Sequence, residues 1–490
     1  MFKKFLTLVI ALVAVFAFTA CKEETKKPVD DTKKPDNEVI VDTNVGKDET
    51  DDENAIDYDE GLSTERYDGY NYRMLVRKGE IDEFAPVEEQ ADTVKAAVFR
   101  RNKAIEEKYG ITITASESSS NTSDTDALNV ILAGDDAYDI VFSQSRSSFA
   151  YAVQGAAYNI NDIESINLEK PWWSEDAVDA FDINDNLYIL DGDITNSLKA
   201  AMVLYFNKDI FDELGFDYPY ETVLDGDWTF DEFAYYVKKG GQDLTGDGVL
   251  NPGEDRYGFY SHEWSAPINV LYAGGQKIFN KNDEGELTLT LNSTKTVDIF
   301  QEFFSLMNNE ACFLHMTTEP KNYNGDTGFF SKGLAMFESS TLSAAEGFRN
   351  MDDDFGILPY PKFDEDDEYT TTINGNQVFA IIPITVPDVE RTGAITEALA
   401  AYSAKEVTPA FYDISLKNKY SRDEESAVMM DIIKDSIIYD IGYFNNTTFS
   451  SIGRDLSKTA TRDFSSFYAS KESSATSSLK SFNEDYGHIE

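Results

Sequence analysis

The sequence predicts an α/β protein with room for two sheet-and-helix units, and three observations carry that expectation. From about Tyr70, short apolar strands alternate with helical patterns, the sequence form of a parallel sheet covered by helices. A second succession of the same kind begins near Ala200. The chain has 490 residues, 41% of them hydrophobic, enough for two or three domains or one large bilobal one.

Ahead of any fold stands a targeting segment. Lys3 and Lys4 precede an apolar run from Phe5 to Phe18, and Thr19-Ala20 puts small residues directly before Cys21. This is the layout of a secretion signal over residues 1–20, too short for a comfortable membrane span. A small-residue cleavage site followed at once by Cys resembles the lipobox of bacterial lipoproteins, whose cysteine is lipidated and becomes the new N-terminus. That resemblance implies a protein working outside the cytoplasm, anchored to the membrane through Cys21. An ordinary secretory peptide with an incidental cysteine is the alternative. Several acyl chains on one residue, at ~0.8 kcal/mol for each buried CH₂, would hold nearly permanently. Residues 21–66 are polar and charge-rich, with Pro28 and Pro35, and read as a disordered acidic tether.

The folded body reads in order. Tyr72 to Val76 is a strand. Asp92 or Thr93 caps a helix whose apolar face is Val94, Ala97, Val98, Ile105 and Tyr109, and Gly110 ends it. Ile111 to Thr114 alternates as a strand, Asp126 to Leu132 is helical, and Tyr138 to Phe142 is a mostly apolar strand. Met202 to Phe206 opens the second unit. Asn207 caps the helix Lys208 to Leu214, which Gly215 closes. Thr229 stands three residues before Glu232, a capping box for a helix ending at Gly240. A helix from Thr294 to Asn308 and strands at Leu334 to Phe337, Phe355 to Leu358 and Asn376 to Ile382 follow. Helical patterns dominate from Glu390, and the Ser-rich stretch Ser465 to Ser481 reads as a frayed end.

Composition narrows function. Ninety acidic residues against 42 basic ones give a net charge of −48, which repels phosphate backbones and argues against nucleic-acid partners. The same bulk field favours a neutral or cationic solute. Cys21 and Cys312 are the only cysteines, so no disulfide framework exists. Three scattered histidines offer no zinc cluster and no hydrolase triad with a Gly-x-Ser-x-Gly elbow.

Residues Tyr205-Phe206-Asn207-Lys208-Asp209-Ile210-Phe211, followed by Trp228-Thr229-Phe230-Asp231-Glu232-Phe233, resemble the paired motifs of family 1 extracellular solute-binding proteins, the receptors of ABC importers. Tyr257-Gly258-Phe259, Gly274-Gly275, Gly333-Leu334-Ala335-Met336, Gly356 to Pro361 and Arg101-Asn102-Lys103 continue the likeness from Tyr70 to about Tyr443. The resemblance implies a bilobal periplasmic-binding-protein-like fold, two α/β lobes joined by a multi-segment hinge. The first lobe would be 67–195 with 375–410, and the second 196–374 with 411–490. Crossings are expected near Asp193 to Lys199, Thr372 to Gln377 and Lys405 to Thr408. It implies capture without chemistry by a monomer that hands its solute to a permease.

Sugar sites use aromatic faces for stacking and planar polar groups for hydroxyls. Trp264 is the first candidate for the cleft. Of the adjacent pair Trp172-Trp173, one is expected to face the ligand while the other packs, and Trp173 is taken as the ligand-facing one; Trp228 is expected in the core. Arg77, Ser143, Gln144 and Arg146 at strand ends, Asp193 at the first crossing, Glu338 and Ser339 ending a strand, and Asn374 and Asn376 at the second crossing are the polar candidates. Asp243 to Glu254 separately follows the twelve-residue calcium loop. Asp243, Thr245, Asp247, Asn251 and Glu254 would supply side-chain oxygens and Val249 its carbonyl to one structural Ca²⁺, with Thr245 a neutral ligand at the third position; an acidic Gly-rich turn is the alternative. The expected ligand is a neutral carbohydrate, an oligosaccharide; a peptide or polyamine, or a glycoside hydrolase in place of a receptor, are the alternatives.

Overall fold

A computed structural model describes residues 56–121, 123–316, 328–412, 424–445 and 447–486. The signal segment, Cys21 and the tether up to residue 55 lie outside the described residues. Among the described residues thirteen strands run in chain order: β1 (Asn71–Val76), β2 (Thr112–Glu117), β3 (Ile140–Gln144), β4 (Met202–Asn207), β5 (Tyr257–His262), β6 (Phe279–Lys281), β7 (Leu287–Leu289), β8 (Cys312–His315), β9 (Ala335–Thr341), β10 (Phe355–Leu358), β11 (Thr371–Thr372), β12 (Val378–Ile381) and β13 (Ile437–Ile438).

Nine of them form two sheets, and β6-β7 and β11-β13 make two separate pairs. The first has the order β12-β3-β1-β2, with β1 parallel to both β2 and β3 and β12 antiparallel to β3. The second has the order β10-β4-β9-β5-β8. Its β5 runs parallel to β8 and β9, whereas β4 runs antiparallel to β9 and β10. Every residue of β3 and β4 is buried, as fits central strands covered on both faces.

Local chemistry sets the helices between them. The Asp92 carboxylate accepts the Val94 and Lys95 N–H groups at 3.0 and 2.9 Å, opening Thr93–Tyr109, and Gly110 closes it at φ 70°. Asn207 caps Lys208–Leu214 through the Ile210 N–H at 3.1 Å. The Thr229 hydroxyl receives the Glu232 N–H, starting Phe230–Gly240. That helix lies so close to β5 that a Cβ on Gly258 would meet the Val237 carbonyl oxygen at 1.8 Å. Only glycine permits the approach. Buried Arg101 donates to the Phe84 carbonyl, the Asn102 side chain and the Ser403 hydroxyl, so the Arg101-Asn102 pair is a fastening between the first long helix and the chain at Ser403.

Two chain crossings between the sheets lie side by side. Leu190 bridges Ala380 and Ala201 bridges Ile373, both antiparallel. The Gln377 amide ties them by donating to the Thr195 carbonyl at 3.1 Å and the Ser197 hydroxyl at 2.8 Å. A third passage leaves helix Val389–Tyr402 through the π-helical turn Ser403–Val407, and Thr408 then hydrogen-bonds Asp193.

Two expectations need correction. The body does not start at residue 67: Tyr58 packs on Trp172 at 6.5 Å between ring centroids, and Leu62 is buried in the core. Two apolar side chains are enough to dock the end of the acidic stretch. Nor does the C-terminus fray from residue 465. Phe464–Tyr486 is a helix that buries Phe464, Tyr468, Ala475, Leu479, Phe482 and Tyr486, a helical spacing that its many serines obscure. It spans both sheets' neighbourhoods. Phe482 and Tyr486 meet Phe149, the Tyr486 hydroxyl donates to the Phe181 carbonyl, Phe464 stacks on Phe300, and Asn483 donates to the Leu287 carbonyl.

Candidate functional site

A cleft of about 940 Å³ draws its wall from residues of both sheets. Strand ends supply it, as open α/β sheets do. From the first sheet come Gln144 and Arg146, just past β3. The second sheet contributes Tyr260 and His262 of β5, Ser339 to Thr341 of β9, and Trp264 in the turn that follows β5. The crossing Asn374-Gly375-Asn376 forms its floor, and Tyr443, Asn445, Ser451 and Arg454 arrive from the C-terminal helices.

The side chains are held in place. Gln144 Nε2 donates to the Gly375 carbonyl at 3.3 Å and to Asn376 Oδ1 at 3.2 Å. Asn374 Oδ1 receives the Asn376 N–H at 2.9 Å. Arg146 reaches the Ser450 carbonyl at 3.3 Å and Ser451 Oγ at 3.4 Å, and its guanidinium lies 5.1 Å from the Tyr443 ring centroid. A Cβ on Gly375 would come within 2.9 Å of Arg146 Nε, so glycine there makes room for the guanidinium. Trp264 is 36% exposed. The Arg454 guanidinium lies 4.0 Å from its ring centroid and that of Arg146 5.7 Å. Asp124 also lines the wall; burial raises its carboxyl above the usual range, and the Tyr151 hydroxyl donates to it at 3.1 Å.

Of the sequence candidates, Trp264, Gln144, Arg146, Ser339, Asn374 and Asn376 come together in this cleft. Five do not line it. Trp173 is buried, and its indole donates to Glu397 Oε2 at 2.8 Å while Trp172 donates to Oε1 at 3.0 Å, so both members of the pair pack on one carboxylate. Arg77 caps the Asn121 and Asn376 carbonyls and pairs with Glu80 at 3.2 Å, supporting the floor from outside. Ser143 is a fully buried strand residue one position from lining Gln144, and Glu338 is fully buried in β9 beside lining Ser339 without reaching the cleft wall. Asp193 sits at the crossing, where burial pushes its carboxyl up to about 6.

Sequence reasoning missed Tyr260 and His262, which period-two alternation along β5 could have singled out. Tyr443 and Arg454 carry no local signal, because they reach the cleft from the far end of the chain.

The Asp243–Glu254 loop closes on itself. Asp243 accepts the Gly246 and Gly248 N–H groups at 2.6 and 2.7 Å, and Asn251 Nδ2 donates to Asp247 at 2.9 Å. Among the described residues no group of three or more His, Cys, Asp or Glu side chains converges to hold a metal ion. No helix among them is long and apolar enough to cross a membrane.

The sequence profile of the bacterial extracellular solute-binding proteins matches residues 85–388. Solved structures share the bilobal fold at low identity. The ABC substrate-binding protein Lmo0181 from Listeria monocytogenes, in complex with cycloalternan, is 14% identical, with a TM-score of 0.54 over 86% of this chain and 100% of that one. UgpB from Mycobacterium tuberculosis, in complex with glycerophosphocholine, is 13% identical, with a TM-score of 0.53 over 86% and 97%. The maltose-maltodextrin binding protein of Alicyclobacillus acidocaldarius is 12% identical, with a TM-score of 0.51 over 85% and 100%. No curated protein matches.

Proposed function

The chain belongs to the bacterial extracellular solute-binding proteins, and from that premise we propose that it is a lipid-anchored receptor that captures an oligosaccharide between two lobes for delivery to an ABC permease. Cys21 would carry the anchor. One observation supports this most: the interlobe cleft is walled by hydroxyls, amides and one exposed tryptophan drawn from both sheets. Polyhydroxylated ligands need such a wall. Contacts with both halves exist together only when the halves are near, so ligand shifts the equilibrium toward the closed state.

A hydrolase would need two carboxylates flanking the bond, and among the described lining residues Asp124 is the one carboxylate. A polyamine would meet Arg146 and Arg454 in the cleft.

The test is calorimetry and thermal shift of the full chain against an oligosaccharide panel. A binder is expected to raise Tm and to be recovered intact; a cleaved product would overturn the receptor. Trp264→Ala should abolish the ligand-induced shift and leave the apo Tm within about 2 °C, as for an exposed side chain. An unchanged shift would remove Trp264 from the site.

Calcium at the Asp243–Glu254 loop is a separate proposal, supported by the spacing of its oxygens. Filling it would require Asn251 to present its amide oxygen in place of the Nδ2 that donates to Asp247. Calcium at 1 mM is expected to raise Tm, EDTA to reverse the rise, and Asp243→Asn to abolish it. No rise with calcium would leave the loop an acidic turn.

A further inference from the structure

The cleft wall reverses the charge balance of the chain. Acidic residues outnumber basic ones 90 to 42 overall. Yet the charged groups on the wall are the guanidiniums of Arg146 and Arg454, the single carboxylate of Asp124, and the titratable ring of His262. We propose that the captured saccharide is anionic, its acid group bound by Arg146 and Arg454 beside Trp264. This rests on the carbohydrate receptor proposed above and replaces the neutral solute expected from bulk charge.

Four observations carry it. First, no carboxylate pairs with Arg146 among the described residues; its polar partners are the Ser450 carbonyl and the Ser451 hydroxyl at 3.3 and 3.4 Å, both long for a charged donor. Second, the space it occupies is reserved: any side chain on Gly375 would press on its Nε. Third, Arg454 shares Asp455 as a neighbouring partner at 2.8 Å, but its planar face lies over Trp264. Two guanidiniums thus converge on one ring, an arrangement of like charges that an anion between them would relieve. Fourth, Ser123, Thr125, Ser340 and Thr341 supply hydroxyls around the same space, which suits a polyol bearing the acid.

The bulk charge does not oppose this. At physiological salt, exposed charges are screened beyond about 8 Å, whereas guanidiniums on a cleft wall act at contact: Arg146 can offer its planar fork to an oxyanion, and Arg454, whose Nε and Nη2 donate to Asp455, adds positive charge beside it.

The experiment is isothermal titration of the full chain with three sets of probes: oligouronides of several linkages, their carboxyl-reduced neutral counterparts, and sulfated or phosphorylated oligosaccharides. At least one acidic probe is expected to bind tenfold or more tighter than its neutral counterpart, with affinity falling as salt rises. The first and third sets separate a carboxylate from a sulfate or phosphate ester. Arg146→Gln and Arg454→Gln should each weaken that probe at least tenfold, and by a clearly larger factor than they weaken any neutral saccharide, while unliganded Tm confirms folding. Arg146→Lys should restore only part of the loss, because an ammonium lacks the fork. Neutral counterparts binding as well as the acids would overturn the inference and leave the carbohydrate receptor standing. Binding of none of the three sets would overturn both.

Discussion

Trp228→Ala is expected to cost about 3–5 kcal/mol of stability, the range for emptying a large aromatic site in a core. The indole is fully buried. It sits among Phe233, Tyr236 and Phe337, with centroid distances of 6.1 to 6.3 Å. Its Nε1 donates to the Pro359 carbonyl at 3.1 Å, so truncation also strands a buried acceptor. The side chain joins the capped helix Phe230–Gly240 to β9 at its Phe337. Denaturant unfolding of wild type and variant gives the difference, and a loss below about 1 kcal/mol would show that this junction is not part of the cooperative core.

Stability should fall as pH rises from about 4 to above 7. Burial raises the Glu397 carboxyl from an ordinary value of 4.5 to about 7, although the Trp173 and Trp172 indoles donate to it. Burial likewise pushes Asp191 up to about 6 against hydrogen bonds from Ser197, Thr195 and Tyr439, and Asp193 to about 6. The folded state therefore holds protons more tightly than the unfolded one. Its advantage is full below the unfolded values and is lost as pH climbs through 6 and 7. For Glu397 the loss is on the order of 3 kcal/mol. Denaturation at pH 5 and pH 8 measures it. Glu397→Gln should flatten that part of the slope, at about 1–2 kcal/mol for one unsatisfied indole N–H. An unchanged slope in the variant would clear Glu397 of the effect.

What the sequence disclosed follows from how local each cause is. The caps at Asp92, Asn207 and Thr229 act within four residues, and each was legible and holds. Trp228 was placed in the core for a similar reason, since it opens a capped helix. The tryptophan pair departs from the rule that neighbours point apart because that rule belongs to continuous strands, whereas Trp172 lies in a turn after Pro171 and Trp173 makes an isolated bridge to Gly192. Their shared partner lies 224 residues from Trp173. The cleft was legible where strand ends build it, at Gln144, Arg146 and Ser339. It was hidden where a distant segment completes it, since Arg146 finds Ser450 some 304 residues away.

The helix Phe464–Tyr486 grips Phe149 and Phe181 at one end and Phe300 at the other. A shell strapped along one flank cannot spring wide like an unhinged pair of plates. Any rotation of one sheet against the other must therefore carry, bend or release this helix, which makes its end contacts the ones to watch in any opening.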